Sequence, residues 1–145
     1  MRTARRAGGA VVVALLGAAV FGGCSVEPRV VRYRAPGEKP WLEPVDAAVA
    51  NGCASAILPA RYEVLSVLAA VEQTLERRGY TVRSRRALVD EAELRAELPR
   101  NGLLERATAD IRRVGRGIDV RLCLRGADDA AAADAFDEVL ARLGR

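Results

Sequence analysis

Residues 107–125 alternate between apolar and polar so regularly that one strand pairing satisfies both faces. Ile118, Val120, Leu122 and Leu124 take turns with Asp119, Arg121, Cys123 and Arg125, the period of a half-buried strand. Ala107, Ala109 and Ile111 do the same with Thr108, Asp110 and Arg112. A two-residue turn at Gly115-Arg116 pairs Val114 with Gly117. On the inner face that register sets Ile111 against Val120 and Ala109 against Leu122. On the outer face it sets Arg112 against Asp119 and Asp110 against Arg121, opposite-charge pairs worth about 0.2–1 kcal/mol each. The chain therefore builds an antiparallel hairpin with one wet face.

Helical periods flank this hairpin. Val64, Leu68, Val71 and Leu75 recur at three- and four-residue spacing, with Leu65 and Val67 widening the stripe, and predict a helix over 60–78. Pro59 suits its start and Gly79 its end. A second helix over 128–143 is capped by Asp128 or Asp129 and buries Phe136, Val139, Leu140 and Leu143 before Gly144. Residues 80–84 read as a short strand. Ala92, Leu94, Ala96 and Leu98 also alternate, and Pro99-Arg100-Asn101-Gly102 is a good turn. Pairing Leu98 with Leu103 brings Leu94 to Ala107, but it sets Arg95 against Arg106 and Glu91 against Asp110. Asp90-Glu91-Ala92-Glu93-Leu94 equally forms a capped helix start, so 90–98 is strand or helix. With 145 residues, half of them apolar, a single domain with a core is expected. Its fold class is α+β over residues 45–145: a helix, a three- or four-stranded mostly antiparallel sheet and a C-terminal helix, the helices packed on one sheet face.

The first residues have a different character. Arg2, Arg5 and Arg6 precede an apolar run over 10–21, followed by Gly22-Gly23-Cys24-Ser25. A basic start, a short apolar core and small residues before a cut site describe an export signal. As a helix the run is about 20 Å long, against about 30 Å of bilayer hydrocarbon, too short for a good permanent span. Gly22-Gly23-Cys24 resembles the end of the lipobox of bacterial lipoproteins, with Phe21 where Leu is usual. The resemblance implies that the signal, residues 1–23, is removed and that Cys24 carries a thioether-linked diacylglycerol and an acylated amino terminus. Two or more acyl chains anchor stably. Ser25, in place of Asp, implies the periplasmic face of the outer membrane if the cell is Gram-negative. The alternatives are an uncleaved signal anchor with an inert Cys24, and simple secretion. Losing three arginines and no acids lowers the net charge from +4 to +1, which leaves no nucleic-acid footprint.

Residues 24–44 then read as the lipidated cysteine and a Pro-rich tether. Four of the six prolines, Pro28, Pro36, Pro40 and Pro44, lie here, and such a segment lifts a domain tens of ångströms off a membrane. The basic run over 29–34 is a solvated stretch or an edge strand, or else it lies against anionic headgroups or cell-wall polymer. Trp41 docks on the domain or marks a binding spot. Export and lipidation, as the resemblance implies them, leave two cysteines under oxidising conditions. A Cys53–Cys123 disulfide follows, closing a loop of about 70 residues, worth about 4 kcal/mol, and pinning residues 51–53 over the sheet's outer face. Two separate buried thiols, or a nucleophilic Cys123 beside Arg121 and Arg125, are the other readings.

Chemistry is thin. The chain has no His, which removes the commonest general base and zinc ligand. Asp110 and Asp119 lie near each other, but each has an arginine across the hairpin, the pattern of surface ion pairs. Gly115-Arg116-Gly117 opens no helix and is no phosphate loop. Asp128, Asp129, Asp134, Asp137 and Glu138 lack the loop spacing that calcium needs. No catalytic residue, cofactor or metal is therefore expected. The function expected is that of a lipid-anchored, non-catalytic cell-envelope lipoprotein, a protein-binding accessory or structural component of an envelope complex. Its partners are the membrane, through the anchor, and another envelope protein. Arg83, Arg85, Arg112, Arg121 and Arg125 form the contact surface. The alternative is a periplasmic binding module for a lipid or glycan, held in space left by Ala92, Ala96, Ala107 and Ala109 between helix and sheet.

Overall fold

The computed structural model describes residues 27–33 and 44–144. Seven strands and two helices follow the order β1 (Arg29–Tyr33), β2 (Val45–Ala50), β3 (Cys53–Pro59), α1 (Val64–Arg77), β4 (Thr81–Ala87), β5 (Glu91–Arg100), β6 (Leu103–Val114), β7 (Gly117–Arg125) and α2 (Asp129–Leu143). All seven strands form one antiparallel sheet in the order β1-β2-β3-β7-β6-β5-β4. This corrects the expected three- or four-stranded sheet: the molecule is mostly β.

The extra strands come from the N-terminal third. β2 and β3 are rich in alanine, a good helix former with little β preference, so their alternation is faint. What marks them is Asn51-Gly52 between them, with φ of 54° and 71°, the pair of positive values that a two-residue I′ hairpin needs. β1 lies inside the stretch read as a tether and pairs with β2 along its whole length. Cys24, residues 1–23 and Trp41 lie outside the described residues.

β6 and β7 pair in the expected register, Ile111 with Val120 and Asp110 with Arg121. β5 is a strand, not a helix, and its register differs by two residues from the expected one. Arg100 pairs with Leu103 because the turn is Asn101-Gly102, with φ of 50° and 76°. That shift sets Glu91 against Arg112 and Glu97 against Arg106 in place of the two expected clashes, and leaves one like-charge pair, Glu93 against Asp110. α1 begins at Val64, not at residue 60, because Pro59 is used as the last residue of β3.

Both helices pack on the same side of the sheet. α1 crosses β4, β5 and β6, while α2 crosses β2, β3 and β7. Val64, Val67, Leu68, Val71 and Leu75 form the buried face of α1, and Phe136 and Val139 are fully buried on α2. Asp128 caps α2 by accepting from the Ala131 amide at 2.8 Å. The helices are tied by Arg142 Nε donating to the buried Thr74 hydroxyl at 3.1 Å and by an Arg78–Glu138 ion pair at 2.8 Å. Tyr33 of β1 lies against Phe136, ring centroids 5.9 Å apart, and its hydroxyl donates to the Ala133 carbonyl.

Candidate functional site

With both helices on one side, the other face of the sheet carries no helix among the described residues. Cys53 and Cys123 stand there directly across from each other on β3 and β7, Cα atoms 3.9 Å apart, and are joined in a disulfide. The bridge joins two neighbouring strands side by side. Residues 51–53 do not lie over the face, as expected from the sequence, but belong to the sheet itself.

The five arginines expected to form one contact surface divide. Arg112, Arg121 and Arg125 project from the helix-free face on β6 and β7, as the alternation requires. Arg83 sits in a β-bulge between Val82 and Ser84 and pairs with Glu97 at 3.0 Å. The bulge inserts one residue and reverses the alternation of everything after it. Arg85 is thereby turned to the helix side, opposite the buried Leu94, where it pairs with Glu72 of α1 at 3.0 Å. It does not belong to the helix-free face.

Two arginines that the sequence did not single out join that face. Arg106 lies directly opposite Arg125 across β6–β7, and Arg95 of β5 lies opposite Thr108, one diagonal step from Arg106. Glu97, across from Arg106, is already held by Arg83, and Glu93, two residues before Arg95 on the same strand, faces Asp110. Arg112, by contrast, is flanked by Glu91 and Asp119, and Arg121 faces Asp110. Among the described residues none of Arg95, Arg106 and Arg125 enters a salt bridge. All three are exposed. Ile57, 68% exposed, and Leu104 add apolar surface on the same side. The pairing of Arg106 with Arg125 was implied by the β6–β7 register read from the sequence, while the diagonal place of Arg95 depends on the Asn101-Gly102 turn.

On the helix side a shallow cleft of about 530 Å³ opens between α1 and the end of α2, lined among others by Arg61, Tyr62, Ser66, Gln73 and Arg142. Its cations are engaged: Arg61 stacks on Tyr62, 4.8 Å from the ring centre, and Arg142 donates to Thr74 and Gln73. Ala92, Ala96, Ala107 and Ala109, expected to leave space for a ligand, are at most 2% exposed. Their small size instead lets α1 come down onto β5 and β6. Among the described residues no three His, Cys, Asp or Glu side chains gather as a metal site would require.

Tyr80, Tyr33, Asp46 and Arg32 are shifted by their surroundings, Tyr33 upward chiefly by burial and Arg32 upward by its bond to Asp46. Burial, and then the Glu105 carboxylate that accepts its hydroxyl at 3.0 Å, push Tyr80 up to about 12. A hydrogen bond from Arg32 at 2.7 Å holds the exposed Asp46 carboxyl below its ordinary value. Neither Tyr80 nor Asp46 lies on the helix-free face near the arginine trio. No protein-family model matches the chain, and no curated protein matches it.

Proposed function

We propose that this chain is a lipid-anchored, non-catalytic lipoprotein of the cell envelope that docks an acidic surface of another envelope protein on the helix-free face of its sheet. The anchor reading is supported by the basic, apolar and Gly22-Gly23-Cys24 succession at the start of the chain, and Ser25 favours the outer membrane of a Gram-negative cell. The docking reading is carried by one observation: Arg106 and Arg125 face each other with Arg95 beside them, and among the described residues no carboxylate forms a salt bridge with any of the three. Like charges directly across a strand pair repel. A partner that brings carboxylates relieves that repulsion, and the guanidinium fork matches a carboxylate with two parallel hydrogen bonds. Leu104, exposed and two residues from Arg106 on the same face of β6, adds an apolar side chain to the arginines, the composition of a protein-binding patch.

Metabolic labelling with a fatty acid tests the anchor. Label is expected in the wild type and absent from Cys24→Ala; equal label in both rules out lipidation there. The docking face is tested by envelope co-purification with the wild type and with Arg106→Glu/Arg125→Glu. A specific partner is expected to be lost from the variant, with affinity down at least about tenfold, roughly 1.4 kcal/mol or more. Undiminished recovery by the charge-reversed protein refutes the assignment.

A further inference from the structure

We infer that the β1 edge of the sheet is held against the lipid surface of the membrane, so that the sheet projects from it edge-on. The inference rests on the reading of Cys24 as the lipidated residue. Only residues 25–28 separate Cys24 from Arg29, the first residue of β1. Five residue steps reach at most about 18 Å. Acyl chains on a cysteine lie in the bilayer, so its backbone stays in the headgroup layer. Arg29, where β1 begins, can therefore move no farther than about 18 Å from that layer. The proline-rich residues between β1 and β2 add no reach, because both strands they connect are fixed side by side in the sheet. The long spacer expected from the sequence is thus reduced to a short leash.

The edge suits such a position. Among the described residues β1 has no strand on its far side. Val30 is 67% exposed, and Arg29 is exposed and enters no ion pair among the described residues. An apolar side chain on one face of this edge and a cation outside any ion pair on the other fit a layer in which acyl carbon meets lipid phosphate. The opposite edge, β4, is six strand steps of about 4.8 Å away, about 29 Å across the sheet. A domain anchored this way offers its helix-free face sideways, parallel to the membrane normal.

Photo-crosslinking tests the orientation in the full chain. The protein carries p-benzoylphenylalanine at Val30, at Glu27 or at Ser84 of the distant β4, and is reconstituted in phosphatidylethanolamine–phosphatidylglycerol vesicles after mass analysis of residue 24. Lipid adducts are expected from positions 27 and 30 at many times the yield from position 84. Inserting about twenty Gly/Ser residues between Glu27 and Pro28 lengthens the leash about fivefold and lowers the adduct at position 30 about tenfold. Glu27 lies outside the strands, so the test survives if the Val30 variant does not fold. Equal yields at all three positions on an acylated Cys24, or a yield that the insertion leaves unchanged, overturn the orientation alone. An unmodified Cys24 in the mature protein overturns the anchor reading and the orientation with it.

Discussion

Tyr80 shows how a single side chain couples the helical layer to the sheet. It follows α1 immediately, is 6% exposed, and donates its hydroxyl to Glu105 of β6. Its backbone amide donates to the Leu75 carbonyl at 3.0 Å, so the ring is fixed at the point where the chain leaves the helix. Ionising the phenol would put a second negative charge against Glu105 in a poorly solvated place, which is why its pKa stands near 12 against the ordinary 10. Because the folded value lies above the unfolded one, this contribution to stability is complete below pH 10 and is lost as pH rises through about 12. Tyr80→Phe removes the effect. Ultraviolet titration of the folded protein is expected to show the highest tyrosinate transition in the wild type and to lose it in the variant. A variant that keeps that transition would assign it to another tyrosine.

The turns decide more of the architecture than the strands they join. Gly52 has φ of 71°, and a Cβ there would stand 2.8 Å from the Leu124 carbonyl oxygen. Its own amide donates to Asp129 at 2.7 Å and its carbonyl accepts from Leu124. One turn thus joins β2–β3 to the end of β7 and the start of α2. Gly52→Ala is expected to cost at least about 2 kcal/mol in denaturant unfolding, from left-handed backbone plus the forced shift. Gly102→Ala, with φ of 76° and nothing within 4 Å, is the control and should cost only about 1 kcal/mol. Equal costs would show that the close approach contributes nothing. The same turns set the limits of what could be read in advance. β6–β7 was legible because apolar pairing and charge pairing demand one register. β5 was half-legible: its alternation was visible, but its register hung on which two residues make the turn. β2 and β3 were hidden by alanines, whose preference for helix outweighs a faint period of two. Of the candidate site, Arg112, Arg121 and Arg125 followed from alternation alone. Arg85 was misplaced because a bulge cannot be seen in the spacing. Arg106 opposite Arg125 was contained in the β6–β7 register, whereas Arg95 reached its diagonal place only through the Asn101-Gly102 turn.

At the scale of the molecule the sheet is two blocks joined at one seam. β1–β3 form a small antiparallel sheet, and β4–β7 form a continuous meander that follows α1. The seam is the β3–β7 pairing, between residues 70 apart at its cysteine pair, with α2 lying across both blocks. Bringing such distant strands together carries a loop-closure cost that a local hairpin escapes. The Cys53–Cys123 bridge removes that freedom from the unfolded chain while lying on a face that contributes little apolar burial. On the chain-entropy account, a loop of about 70 residues corresponds to about 4 kcal/mol. The Cys53→Ala/Cys123→Ala protein is therefore expected to keep its fold, because β3–β7 hydrogen bonds and the contacts of α2 remain, but to unfold with about 4 kcal/mol less stability. Hydrogen exchange then locates the loss. Amides of β1–β3 are expected to exchange by opening of the seam, ahead of those in β5, β6 and β7, whose neighbours follow one another in sequence. Loss of protection throughout the sheet at a single rate would mean that the two blocks form one cooperative unit even without the bridge. A stability change below about 1 kcal/mol would mean that the seam is already closed in the unfolded ensemble, and that the bridge does not reinforce the fold.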